Sequence, residues 1–118
     1  MANLGNLTYR QITNEDYWVD DSESSYYNQW VNTNEVPISW NSAEHLISQP
    51  VSYKYGIAIN YNTSCVPYAG SAIFLHCNKG ARTAGCVSVP ESIMVSIMKN
   101  IHSDCLIVIA NGNYVYNY

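Results

Sequence analysis

Residues 70–90 read Gly-Ser-Ala-Ile-Phe-Leu-His-Cys-Asn-Lys-Gly-Ala-Arg-Thr-Ala-Gly-Cys-Val-Ser-Val-Pro, an apolar run closing on His76, with Cys86 ten residues later in a Thr-Ala-Gly-Cys turn. The run predicts a strand over 71–77, with Ala72, Phe74 and His76 on one face and Ile73, Leu75 and Cys77 on the other. A base held at the end of a strand is better positioned than one on a mobile loop. The thiolate is the reactive form of cysteine, and a free thiol with a pKa near ~8.5 is barely ionised at neutral pH, so a nearby imidazole matters. Ala84 and Gly85 leave room for an acyl group beside Cys86, and the backbone N–H groups of Gly85 and Cys86 can point at a developing oxyanion.

Outward from this stretch, 53–61 alternates with period two and predicts a strand carrying Tyr53, Tyr55, Ile57, Ile59 and Tyr61 on one face. Asn, Thr, Ser, Pro and Gly over 62–70 predict a loop. Beyond Cys86, Pro90 fits a first helical position and Glu91 suits the positive helix start. Ile93, Met94, Ile97, Met98 and Ile101 recur at helical spacing, with Lys99 and His102 near the negative end, so a helix is expected over 90–102. A buried strand is expected over 104–110, followed by an Asn111-Gly112 hairpin turn into 113–118. Residues 1–50 are polar and clustered, with Trp18, Trp30 and Trp40 among them, and read as loops and short helices pinned by aromatic anchors. A short helical turn is expected over 24–31 and a second over 41–47, which Pro50 prevents from continuing. The expected fold is mainly β with short helices: a curved mixed sheet or sandwich in one domain spanning 1–118, with one helix following the nucleophile turn.

Composition narrows the function classes. Of 118 residues, 47% are apolar and only 12% charged, which suits a packed globule rather than a disordered tail. The net charge of -4 and five scattered Lys and Arg give no footprint for nucleic acid, and no apolar run approaches the length of a membrane helix. No basic segment followed by an apolar stretch opens the chain. A cytoplasmic protein, a chain whose leader has been removed and a fragment of a longer exported polypeptide therefore all stay open. With Cys86 set aside as a nucleophile, Cys65, Cys77 and Cys105 form no closed disulfide set, although Cys65 and Cys77 flank a strand and can pair in an oxidising compartment. A zinc site from His76, Cys77 and Cys86 with His102 or Cys105 is disfavoured, because adjacent strand residues point to opposite faces and no Cys-x-x-Cys pair is present. No metal or organic cofactor is expected. Eleven Tyr against one Phe suit half-wet sheet faces and surfaces that meet sugars or peptides.

Gly70-Ser71-Ala72-Ile73-Phe74-Leu75-His76 together with Thr83-Ala84-Gly85-Cys86-Val87 resembles the catalytic segment of the L,D-transpeptidases, the YkuD-type domain of bacterial cell-wall enzymes. The best-matching stretch is 53–110, and Trp18-Val19-Asp20-Asp21 and Tyr26-Tyr27-Asn28-Gln29 resemble a segment of one divergent branch. The resemblance implies that Cys86 attacks a carbonyl of a peptidoglycan stem peptide and forms a thioester. His76 would be the base, oriented by the backbone carbonyl of Cys77, and the Gly85 N–H would serve the oxyanion. It further implies substrate contacts from Ser71, Arg82, Thr83, Trp18 and Asp21, and a location in the cell envelope or outside the cell. The chain departs from the family pattern in carrying Ala84 where most members have His and Ser88 where many have Arg. Relative to that pattern, upstream strands are expected to be lacking, which would make an exposed sheet edge a route to a homo-oligomer. Two other classes stay open: hydrolysis at the same site with water as acceptor, and a non-catalytic wall-binding or partner-binding module that uses the Tyr and Trp side chains.

Overall fold

Asp16–Val19, with two aromatic residues and a valine, forms strand β1 rather than the loop its polar surroundings suggest. The computed structural model describes residues 7–80, 83 and 85–109. β1 is the centre of a three-stranded antiparallel sheet, with β2 (Trp30–Asn32) on one side and β3 (Ala43–His45) on the other. The helix expected over 41–47 is replaced by β3 and a single 3-10 turn, Leu46–Ser48. Pairing of Glu44 with Trp18 and of His45 with Tyr17 takes the backbone groups a helix would use. The turn expected over 24–31 is present up to Asn28, after which the chain enters β2.

The first sheet is tied together by one carboxylate. Asp16 is 1% exposed and accepts hydrogen bonds from Arg10, the Thr13 backbone N–H and hydroxyl, Trp30 Nε1 and Asn32 Nδ2, all at 2.8–3.0 Å. Arg10 also lies over the Trp30 ring, 4.7 Å from its centroid. Burial alone would raise the Asp16 pKa. The bonds from Trp30, Thr13 and Asn32 outweigh it and hold the carboxyl at about 2.

The second sheet has the order β4 (Gly56–Ala58), β5 (Phe74–Cys77), β6 (Val87–Val89), antiparallel between β4 and β5 and parallel between β5 and β6. α1 (Glu91–Asn100) follows, with Pro90 just before it and the Ile101 N–H closing its last turn on the Ile97 carbonyl. Met94 and Met98 of α1 bury against Leu75 and Cys77, with Tyr55, Ile57, Ile59, Val87, Val89 and Ile97 packed around them. On the other face Ala72 and Phe74 meet Leu46, flanked by Ile12, Trp18, Trp30, Tyr53 and Cys86. The second sheet therefore lies between the helix and elements of the first sheet, a mainly β arrangement with one helix after the segment that carries Cys86.

Three expectations need correction. The strand over 71–77 begins only at Phe74, because Ala72 takes φ +54° and breaks the extended run. The strand over 53–61 shrinks to β4, and its single face divides: Tyr53 packs with Phe74, whereas Tyr55, Ile57 and Ile59 pack under the helix. Tyr61 is exposed and its hydroxyl donates to the Ala69 carbonyl, while Gly70 at φ +106° passes so close that a Cβ would stand 2.8 Å from the Tyr61 ring. Residues 104–109 are exposed and unpaired rather than a buried strand, with Leu106 at 92% exposure, and the Asn111-Gly112 turn lies outside the described residues. Cys65 and Cys77 are free thiols, since Cys77 points into the core beneath α1 and Cys65 sits in the 62–70 loop. No helix among the described residues is long and apolar enough to cross a membrane.

Asp16 carries a pH dependence with a definite sign. Its folded pKa lies below the ordinary value of 3.8, so its contribution is complete above about pH 4 and is lost as pH falls towards about 2. Asp16→Asn is expected to lower stability by about 2 kcal/mol at neutral pH and to flatten this acid limb. Urea titrations across that range compare the two proteins.

Candidate active site

β5 fixes His76 from both sides: the residue pairs with Gly56 on β4 and Ser88 on β6 and is only 6% exposed. Its Nδ1 lies 2.8 Å from the Cys77 carbonyl. A carbonyl can only accept, so Nδ1 carries a proton and in the neutral ring Nε2 is the nitrogen with the lone pair. Nε2 has no hydrogen-bond partner among the described residues. The Tyr53 ring stands edge-on to the imidazole at 5.5 Å.

Cys86 lies just before β6, half-buried against the Phe74 cluster. Its thiol donates to the Ala72 carbonyl at 3.2 Å, and the Phe74 N–H donates to the sulfur at 3.4 Å. Thr83 Oγ1 donates to the Cys86 carbonyl at 2.5 Å and closes the turn. Among the described residues His76 is not a hydrogen-bond partner of the sulfur; the thiol is parked on backbone. Burial pushes the Cys86 thiol pKa up; the Phe74 N–H opposes this and the Glu44 charge adds to it. A thiol in this state is protonated at neutral pH and needs a base to become a nucleophile.

His76 and Cys86 border one cleft of about 620 Å³, walled by β3 and the 3-10 turn on one side and by residues 71–73, β5 and the Cys86 turn on the other. Of the side chains expected to contact substrate, Ser71 and Thr83 line it, as does Gly85. Trp18 does not: it packs edge-on against Phe74 at 5.0 Å and donates to Asn28. Asp21 is taken up by the Glu23 and Asn41 backbone N–H groups, and its neighbour Asp20 lines the cleft instead. Arg82 and Ala84 lie outside the described residues.

Glu44 and Tyr53 border the cleft without having been singled out in the sequence. Glu44 reads as a first-turn acid until β3 replaces the helix, and Tyr53 reads as one of a row of strand tyrosines. The Tyr53 hydroxyl donates to Glu44 at 2.5 Å. Burial first, then the hydrogen bond and charge of Glu44, and then Cys86 push this phenol far above its ordinary range, so it remains a proton donor at every physiological pH. His45 stacks on Tyr17 at 4.4 Å and its Nε2 donates to the Asn14 carbonyl. No three His, Cys, Asp or Glu side chains cluster to hold a metal among the described residues.

Alkylation of Cys86 by iodoacetamide, followed by peptide mass to separate it from Cys65, Cys77 and Cys105, is expected to show a pH midpoint above that of a free thiol. Glu44→Gln removes a neighbouring negative charge. It is expected to lower the midpoint and speed alkylation at neutral pH by about twofold, the scale of a part-exposed charge interaction.

Comparison with family models, with curated proteins and with solved structures returns no match to this chain.

Proposed function

We propose that the cleft is a cysteine acyl-transfer site acting on peptidoglycan stem peptides, in a domain of L,D-transpeptidase type working in the cell envelope or outside the cell. One observation carries the chemistry: an imidazole held by its Nδ1–H on the Cys77 carbonyl, with Nε2 unpaired among the described residues, shares a cleft with a protonated, half-buried thiol. The choice of substrate rests on the likeness of 70–76 and 83–87 to the catalytic segment of that family.

The Cys86 thiol leaves the Ala72 carbonyl by rotation about its side chain and gives its proton to His76 Nε2. Its sulfur then attacks the donor carbonyl. The tetrahedral oxyanion collapses, the C–N bond breaks, and the departing amine takes the proton back from His76, leaving a thioester on Cys86. An incoming amine, deprotonated by the same Nε2, attacks the thioester and restores the thiol. The Tyr53 hydroxyl and the Gly85 turn border the reacting atoms, and Glu44 and Asp20 give the opposite wall acceptors for an ammonium group.

Intact-mass measurement after incubation with a stem-peptide donor or a carbapenem tests this reading. The wild-type chain is expected to gain one acyl mass, Cys86→Ala none, and His76→Ala to acylate about a hundredfold more slowly, within the usual span for loss of a general base. Added amine is expected to yield a cross-linked dimer. Product trimmed equally with and without amine would assign the site to hydrolysis. An adduct that persists in Cys86→Ala would overturn the assignment of Cys86 as the nucleophile, and no adduct on the wild type would overturn the proposal in favour of a binding module.

A further inference from the structure

The side chain of Asn28 sits where the two sheets meet and is 8% exposed. Its Oδ1 accepts from Trp18 Nε1 at 3.0 Å and from the Ala72 N–H at 3.1 Å, and its Nδ2 donates to the Tyr61 and Asn62 carbonyls at 2.9 and 2.8 Å. Two N–H donors on one side and two carbonyls on the other allow only this orientation of the amide, and all four of its hydrogen bonds are used. Asn28 itself adopts φ +56°, a conformation asparagine tolerates better than most residues.

Ala72 is the informative partner. It is buried at φ +54°, where an alanine stays only if its surroundings hold it. Its N–H is held by Asn28 and its carbonyl receives the Cys86 thiol, while two residues on the Phe74 N–H reaches the same sulfur. The kink at Ala72 thus forms a two-point backbone cradle for a sulfur carried by a different segment. We propose that Asn28 is a positioning residue for the Cys86 thiol, acting through Ala72 to hold the sulfur in its resting, protonated place. The inference rests on Cys86 being the nucleophile, but the position of the thiol can be measured without any acyl substrate.

In Asn28→Gly the positive φ is tolerated and the side chain that carries the amide is removed. Ala72 is then free to turn its carbonyl away, while Phe74, pinned by pairing with Ala58, continues to donate to the sulfur. Loss of the bond that favours the protonated thiol is expected to lower the Cys86 alkylation midpoint and raise the rate at neutral pH by about fivefold, the effect of one ordinary hydrogen bond. Trp18→Phe removes the other donor to the same Oδ1 and is expected to destabilise the fold without moving the midpoint. In the unmodified protein, the Ala72 and Asn28 side-chain amide NMR signals are expected to titrate together with Cys86, a measurement that stands even where the glycine variant fails to fold.

A midpoint unchanged in Asn28→Gly, a midpoint displaced equally in Trp18→Phe, or amide signals that ignore the thiol titration would each overturn the inference. Should no donor acylate the wild type while the midpoint moves as expected, the proposed function fails and the positioning role of Asn28 stands.

Discussion

Burial of β5 on both faces is the constraint on which the rest of the molecule depends. Phe74, Leu75, His76 and Cys77 are all buried, so each face of this strand needs a covering layer. α1 covers Leu75 and Cys77 with Met94 and Met98, and Leu46 with the two tryptophans of the first sheet covers Phe74. Each fully buried side chain of this size contributes roughly 1.5–3 kcal/mol, more than an ordinary neutral hydrogen bond. Within that strand His76 keeps its Nδ1 on the Cys77 carbonyl and lines the cleft.

Buried polar groups meet two different fates in this fold. Asp16 is surrounded by donors on every side, which outweigh the cost of burial and keep it ionised as the tie of the first sheet. Cys86 and Tyr53 sit beside an acid and receive too little compensation, so burial holds both in their protonated forms. A permanently charged anchor and a reservoir of protons thus come from the same physics applied to different neighbours. A site that must move protons at neutral pH has use for the second arrangement and none for the first.

The two halves of the molecule are joined by polar detail as well as by apolar packing. Asn28 connects β1, the 61–62 bend and Ala72 with four hydrogen bonds, so the first sheet has a direct hold on the backbone that receives the thiol. The cleft is formed from both sheets and would not exist if either folded without the other.

The amino-acid sequence by itself determined the elements whose signals are local. The apolar run into His76, the Pro-Glu start and helical spacing of α1, and the turn residues of 62–70 are each settled by neighbours a few positions apart, and the structure places a strand, a helix and a loop there. The first sheet was hidden because strands of three or four residues show no period, and the acids and amides around them read as loop. The division of Tyr53 from Tyr55, the kink at Ala72, the exposure of 104–109 and the entry of Glu44 into the cleft were decided by tertiary structure alone. Each depends on a partner from distant sequence that claims a backbone group or buries a face, and no local pattern of residues records which partner that will be.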